Sequence, residues 1–131
     1  MKNRFDDWPV VTLVAEGETP GEIRDAVLDL LHSALQRRQP FAAVLDLTAT
    51  ADVRETGPDP RTAAHAKAVK EIRPDLASRC RGLAFVARGR APAPEAGRRF
   101  WGCPVIQTTD VGQAGSWARD SLAAAGREED P

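Results

Sequence analysis

The chain reads as one α/β domain, a small, mostly parallel sheet of four to five strands with helices packed on its faces. Three observations predict this. The short apolar runs Val10-Val11-Thr12-Leu13-Val14, Phe41-Ala42-Ala43-Val44-Leu45, Leu83-Ala84-Phe85-Val86 and Pro104-Val105-Ile106 lack polar alternation, which suits strands buried on both faces beneath helices. Each run is followed by a stretch with helical spacing, the alternation that builds an α/β layer domain. The length, 131 residues, suffices for one core but not for two.

The first helix carries its own start signal. Thr19-Pro20-Gly21-Glu22 forms a capping box with Thr19 at N-cap, Pro20 at N1 and Glu22 at N3. Ile23, Ala26, Val27, Leu30, Leu31, Ala34 and Leu35 then recur as one apolar stripe, with His32 on the opposite, exposed side. Arg37 and Arg38 fall in the expected last turn, favoured by the helix dipole, and Pro40 stops the helix.

The second strand ends in Asp46. A polar loop follows through Thr48, Thr50, Asp52, Glu55, Thr56, Gly57 and Pro58, and Asp59-Pro60 supplies an N-cap and N1 pair. His65, Val69, Ile72 and Leu76 share a face of the next helix, which Pro74 should kink or restart. A third strand runs from about Gly82 to Ala87. The glycines and prolines between Arg88 and Gly102 predict the least ordered internal stretch, with a helix beginning near Pro94. After the fourth strand, Thr109 or Asp110 caps a last helix that buries Val111, Ala114, Ala118, Leu122 and Ala125, with Trp117 at its margin. Residues 126–131 read as a frayed acidic tail. There is no internal repeat, and residues 1–131 read as a single domain.

Hydrophobic residues at 42% and charged residues at 28% describe an ordinary soluble protein. A net charge of −1 gives no global argument for nucleic acid, a membrane surface or an acidic ligand. No apolar run approaches the roughly 20 residues of a membrane span. The basic residues at the start are followed by no long apolar segment, so no secretory signal is read and a cytoplasmic location is expected. Cys80 and Cys103 are too few for a disulfide scaffold and lack the Cys-x-x-Cys spacing of a zinc site. They read as reduced structural thiols near one edge of the sheet.

No specific catalytic, cofactor or metal motif is present. There is no Gly-x-Gly-x-x-Gly after a strand, no Walker loop, no Gly-x-Ser-x-Gly elbow, no paired-histidine site and no tyrosine. What remains is geometric, because open α/β sheets bind ligands at the carboxyl ends of their strands. Asp46, Thr48, Thr50, Arg88 and Thr108 fall there, with His65 near the start of the second helix, and these six are the candidate ligand-binding residues. Asp46 with His65 has the make-up of an oriented base, and arginines suit an anion. The plainer reading is a strand-end aspartate capping backbone amides, a partly buried histidine and solvated arginines. Arg98-Arg99-Phe100-Trp101 is the candidate partner-binding segment, since arginine and aromatics are enriched in interface hot spots. The alternative is that Phe100 and Trp101 cover one end of the core while both arginines face water.

Several segments resemble SpoIIAA-like proteins of the STAS-type fold over about residues 10 to 122. Val14-Ala15-Glu16-Gly17-Glu18-Thr19 resembles the family's strand–Gly–x–Thr–helix opening, and Ala43-Val44-Leu45-Asp46-Leu47 its second strand. Arg79-Cys80-Arg81-Gly82-Leu83-Ala84-Phe85-Val86 resembles the third. Phe100-Trp101, the Pro-Val strand and Thr109-Asp110 through Ala114-x-x-Trp117-Ala118 resemble the closing strand and its Ala-x-x-Trp helix. The resemblance implies a non-catalytic regulatory or partner-switching module, or a binder of small or apolar ligands. The anti-anti-sigma members open a helix with a phosphorylated Asp-Ser pair. No such pair opens a helix here, and Thr48, Thr50 and Thr62 do not match the motif.

Three functions are therefore expected in order. The first is a protein-interaction module acting through a helix face and the 98–101 segment. The second is a carrier of a small or apolar ligand in a sheet–helix crevice near Asp46, His65 and the 88–101 loop. The third is a small enzyme using Asp46 and His65. A homodimer is a further expectation, because small α/β domains hide an edge strand or an aromatic patch that way.

Overall fold

A computed structural model describes residues 1–49, 60–88 and 94–129. Among them the element order is β1 (Lys2–Arg4), β2 (Val10–Val14), α1 (Pro20–Leu35), β3 (Phe41–Asp46), α2 (Pro60–Arg79), β4 (Cys80–Val86), α3 (Pro94–Trp101), β5 (Val105–Thr108) and α4 (Val111–Glu129). The sheet order is β1-β2-β3-β4-β5, parallel from β2 to β5, with β1 antiparallel to β2.

That sequential order decides which face each helix covers. Every crossover from β2 to β5 steps one strand in the same direction, and parallel crossovers are overwhelmingly right-handed. So α1, α2 and α3 stack on one face. There Val11, Leu13, Phe41, Ala43, Leu45 and Leu83 pack against Ile23, Val27, Leu30, Leu31, Val69, Leu76 and Trp101. The opposite face belongs to α4, whose Ala114 and Ala118 press on Val10, Ala42, Val44, Ala84 and Val86.

The expected elements are present with instructive shifts. Thr19 caps α1 in a reciprocal capping box with Glu22, and His32 is exposed. Arg37 and Arg38 do not extend the last turn, as the charge pattern suggested. The helix closes at Leu35, Arg38 turns to φ 55°, and the Arg37 guanidinium lies 4.5 Å from the Trp8 ring centroid and 5.0 Å from that of Phe5. A cation over two rings outcompetes one more helical residue. Pro74 neither ends nor restarts α2. The ring removes one donor, but buried Ile72 and Leu76 on either side anchor the helix to the core.

β1 escaped the sequence pattern because its residues are polar and exposed. It pairs Lys2 with Val14 and Arg4 with Thr12, shielding the edge of β2 with charged side chains. The link from β1 to β2 is fastened by Trp8, which stacks on Phe5 and Phe41 and donates its indole N–H to Gln39 Oε1 at 3.0 Å. Asp110 caps α4, its Oδ1 accepting from the Gly112 N–H at 2.7 Å. Val111 corrects the expected stripe, for it is 52% exposed and lies beside the sheet instead of within the core. Ala125 has a side chain outside the described ones. The helix runs on to Glu129, past Gly126.

Candidate functional site

The residues expected at the strand ends are engaged in local capping. Asp46 closes β3, and its Oδ1 accepts from the Thr48 N–H at 3.2 Å and the Thr48 hydroxyl at 2.7 Å. Thr108 closes β5, donates its hydroxyl to Gln113 Oε1 at 2.9 Å and accepts from the Asp110 N–H at 3.2 Å. Short polar side chains at strand ends favour such backbone-directed bonds. Arg88 is exposed just beyond β4. Thr50 lies outside the described residues, as do Asp59 and the side chain of Thr62.

His65 packs among aromatic side chains of α3. Its ring stacks on Phe100 with centroids 6.0 Å apart and meets the Trp101 edge at 5.9 Å. Burial holds it below the usual histidine range, with Arg24 pushing the same way and Asp25 opposing. Its Nδ1 has no hydrogen-bond partner among the described residues, so Asp46 and His65 are not joined through that atom. With Glu22, Asp25 and Leu28 of α1, His65 instead lines a shallow cleft of about 470 Å³.

The Arg98–Trp101 segment divides. Arg98 and Arg99 are exposed and Phe100 is half-buried, but Trp101 is 8% exposed and belongs to the main core. It packs on Phe85 at 6.0 Å and against Phe100 at 5.1 Å. The tryptophan expected as a partner's anchor therefore covers one end of the core, while both arginines face water. The chain's Asp-Ser pair, Asp120-Ser121, falls in the interior of α4, where it opens no helix.

A further concavity is one the sequence pattern did not indicate. Because three crossovers place α1, α2 and α3 together, α4 is the helix that covers the other face among the described residues, packing over β3, β4 and β5. Among the described residues, a groove runs beside α4 on the β2 side of that face. The groove there holds about 630 Å³ and is lined by Trp8, Pro9, Val10, Thr12, Val44, Val111, Gly115 and Leu122, with Asp7 and Arg119 adding charge. Its signal in the sequence was indirect. Three crossovers in strict strand order leave α4 as the one helix on that face among the described residues.

Among the described residues, no group of three or more His, Cys, Asp or Glu side chains is placed to hold a metal, and no helix is long and apolar enough to cross a membrane. Comparison of the chain with protein-family models, curated proteins and solved structures finds no match.

Proposed function

We propose that the chain is a non-catalytic binding module of the STAS-like kind, and that it holds a small apolar or amphiphilic molecule in the groove between α4 and β2. The observation that carries this reading is the groove beside α4 on the β2 side of the sheet. Val111 stands 52% exposed there, and the lining combines valines, a leucine and a tryptophan with a few polar groups. A mostly apolar concavity with sparse polar groups, of roughly 300–1,000 Å³, is the usual form of a small-molecule site. The engagement of Asp46 by Thr48 and the packing of His65 against Phe100 favour binding over acid–base chemistry.

Native mass spectrometry of the full chain, purified without refolding, tests the proposal. The expected result is an added mass that is lost on denaturation, or saturable binding of an anilinonaphthalene sulfonate probe that quenches tryptophan fluorescence. Val111→Asp puts a charge in the groove at an exposed position, so it should leave the fold intact and weaken the probe by about tenfold, ~1.4 kcal/mol. A chain with no retained mass and no saturable probe binding would overturn the reading.

A second reading, a protein-interaction module, draws on the exposed Arg98 and Arg99 beside half-buried Phe100. It expects the Arg98→Ala, Arg99→Ala variant to lose a co-purifying protein while its circular dichroism is unchanged. A partner retained by that variant would reject this surface.

A further inference from the structure

The start of β4 carries an irregularity. Phe41 pairs with Cys80 and Ala42 with Gly82, so Arg81 is an extra residue opposite β3. In a regular strand Cys80 would point with Gly82 toward Trp117 of α4, because side chains alternate across a sheet. The bulge turns Cys80 into the core of the other face, where Cys103 also lies. Bulges re-aim side chains in this way and are common beside functional sites.

A second backbone device delivers Cys103. It follows Gly102, which sits at φ +81°, a conformation glycine favours. A Cβ there would stand 2.5 Å from Arg73 Cγ and 3.1 Å from the Arg73 carbonyl oxygen. The result is two free, buried thiols that line the same cleft. The Cys80 S–H donates to the Gly82 carbonyl at 3.5 Å. The Cys80 sulfur and burial push the Cys103 thiol well up, with Arg98 opposing. Both cysteines line a cleft of about 390 Å³ together with Arg81, Arg98, Gly102 and Ser121. This cleft shares no lining residue with the α4–β2 groove, so the inference stands apart from the ligand reading.

We propose that Cys80 and Cys103 form a reversible dithiol–disulfide site whose oxidant is a small anionic disulfide such as oxidised glutathione, attracted by Arg81 and Arg98. Cys80, as thiolate, attacks one sulfur of the oxidant. The oxidant's S–S bond breaks, one glutathione thiolate leaves and takes up a proton, and a mixed disulfide remains on Cys80. Cys103 then loses its proton and attacks the Cys80 sulfur, expelling the second glutathione. Two thiols are oxidised to one disulfide, one disulfide is reduced to two thiols, and both protons end on glutathione. The product ties the first residue of β4 to the approach to β5.

The test uses the full chain, reduced and desalted, in a series of oxidised-to-reduced glutathione ratios. Acid quench, alkylation under denaturing conditions and intact-mass measurement count the remaining thiols, while far-ultraviolet circular dichroism follows the fold. The expected result is a monomer that loses both alkylatable thiols with an unchanged spectrum, melts at a higher temperature, and recovers both thiols in reduced glutathione. Cys103→Ser is expected to stop at one glutathione on Cys80, and the wild-type measurement stands alone should that variant misfold. Two thiols still alkylatable in oxidised glutathione would overturn the proposal. So would a disulfide that joins two chains, or one that forms only as the folded spectrum is lost.

Discussion

Trp101 and Arg99 are neighbours in sequence and opposites in environment. On a helix, adjacent side chains point about 100° apart, so the short α3 can bury one aromatic, half-bury the next and leave its arginines in water. The chain around Phe100 and Trp101 carries no periodic signal long enough to choose which, and two readings of that segment stood open. The packed rings of Phe85, His65 and Phe100 around Trp101 decide it. Trp101→Ala should therefore cost about 3–5 kcal/mol of stability, the usual range for truncating a buried large aromatic. Arg99→Ala should stay within about 0.5 kcal/mol, as exposed substitutions do. Chemical denaturation of both variants checks this. A stable Trp101→Ala protein would return that tryptophan to the surface.

At the scale of elements, the contact between α4 and β4 includes one close approach. A Cβ at Gly82 would stand 2.5 Å from Cη2 and 2.6 Å from Cζ3 of Trp117. Only hydrogen at that position lets the indole lie against the strand, which gives the Ala-x-x-Trp spacing of α4 its structural use. Gly82→Ala should cost about 1–3 kcal/mol, the typical range for overpacking. Trp117→Leu should relieve part of it, so the double variant should lose less than the sum of the two single ones. An additive double variant would show that ring and strand do not interlock. The legibility of each element follows the range of its signals. The start of α1 was readable because its capping box is local, with the Glu22 N–H donating to Thr19 Oγ1 at 3.3 Å. Thr19→Ala is accordingly expected to cost about 1 kcal/mol in the same denaturation measurement. The end of α1 was not readable, because Arg37 answers to Phe5 and Trp8, some thirty residues away. β1 pairs with β2 through exposed polar residues and leaves no apolar trace.

At the scale of the whole molecule, the layer architecture followed from four apolar runs, whereas the groove depends on the faces to which the topology assigns the helices. No local motif joins Trp8, Thr12, Val44 and Leu122, which meet only after the sheet has formed. The same long-range assembly sets the response to acid. His65 lies among α1 and α3, where burial lowers its pKa below 6.5, so the unfolded chain takes up its proton more readily than the folded one. The stability tied to neutral His65 is then fully present above pH 6.5 and is lost as pH falls from there through the lowered folded value. Glu18 adds a second, lower step. The Met1 amino group approaches its carboxylate to 2.7 Å and holds it at about 2, against an ordinary 4.5. That contribution is present above 4.5 and fades toward 2. Thermal melts at constant ionic strength should therefore show the midpoint falling in two stages on acidification. His65→Gln should remove the first stage, because an amide does not titrate, and Glu18→Gln should remove the second. A His65→Gln protein whose midpoint falls as steeply as the wild type between about pH 7 and pH 5 would show that some other group governs mild acid sensitivity.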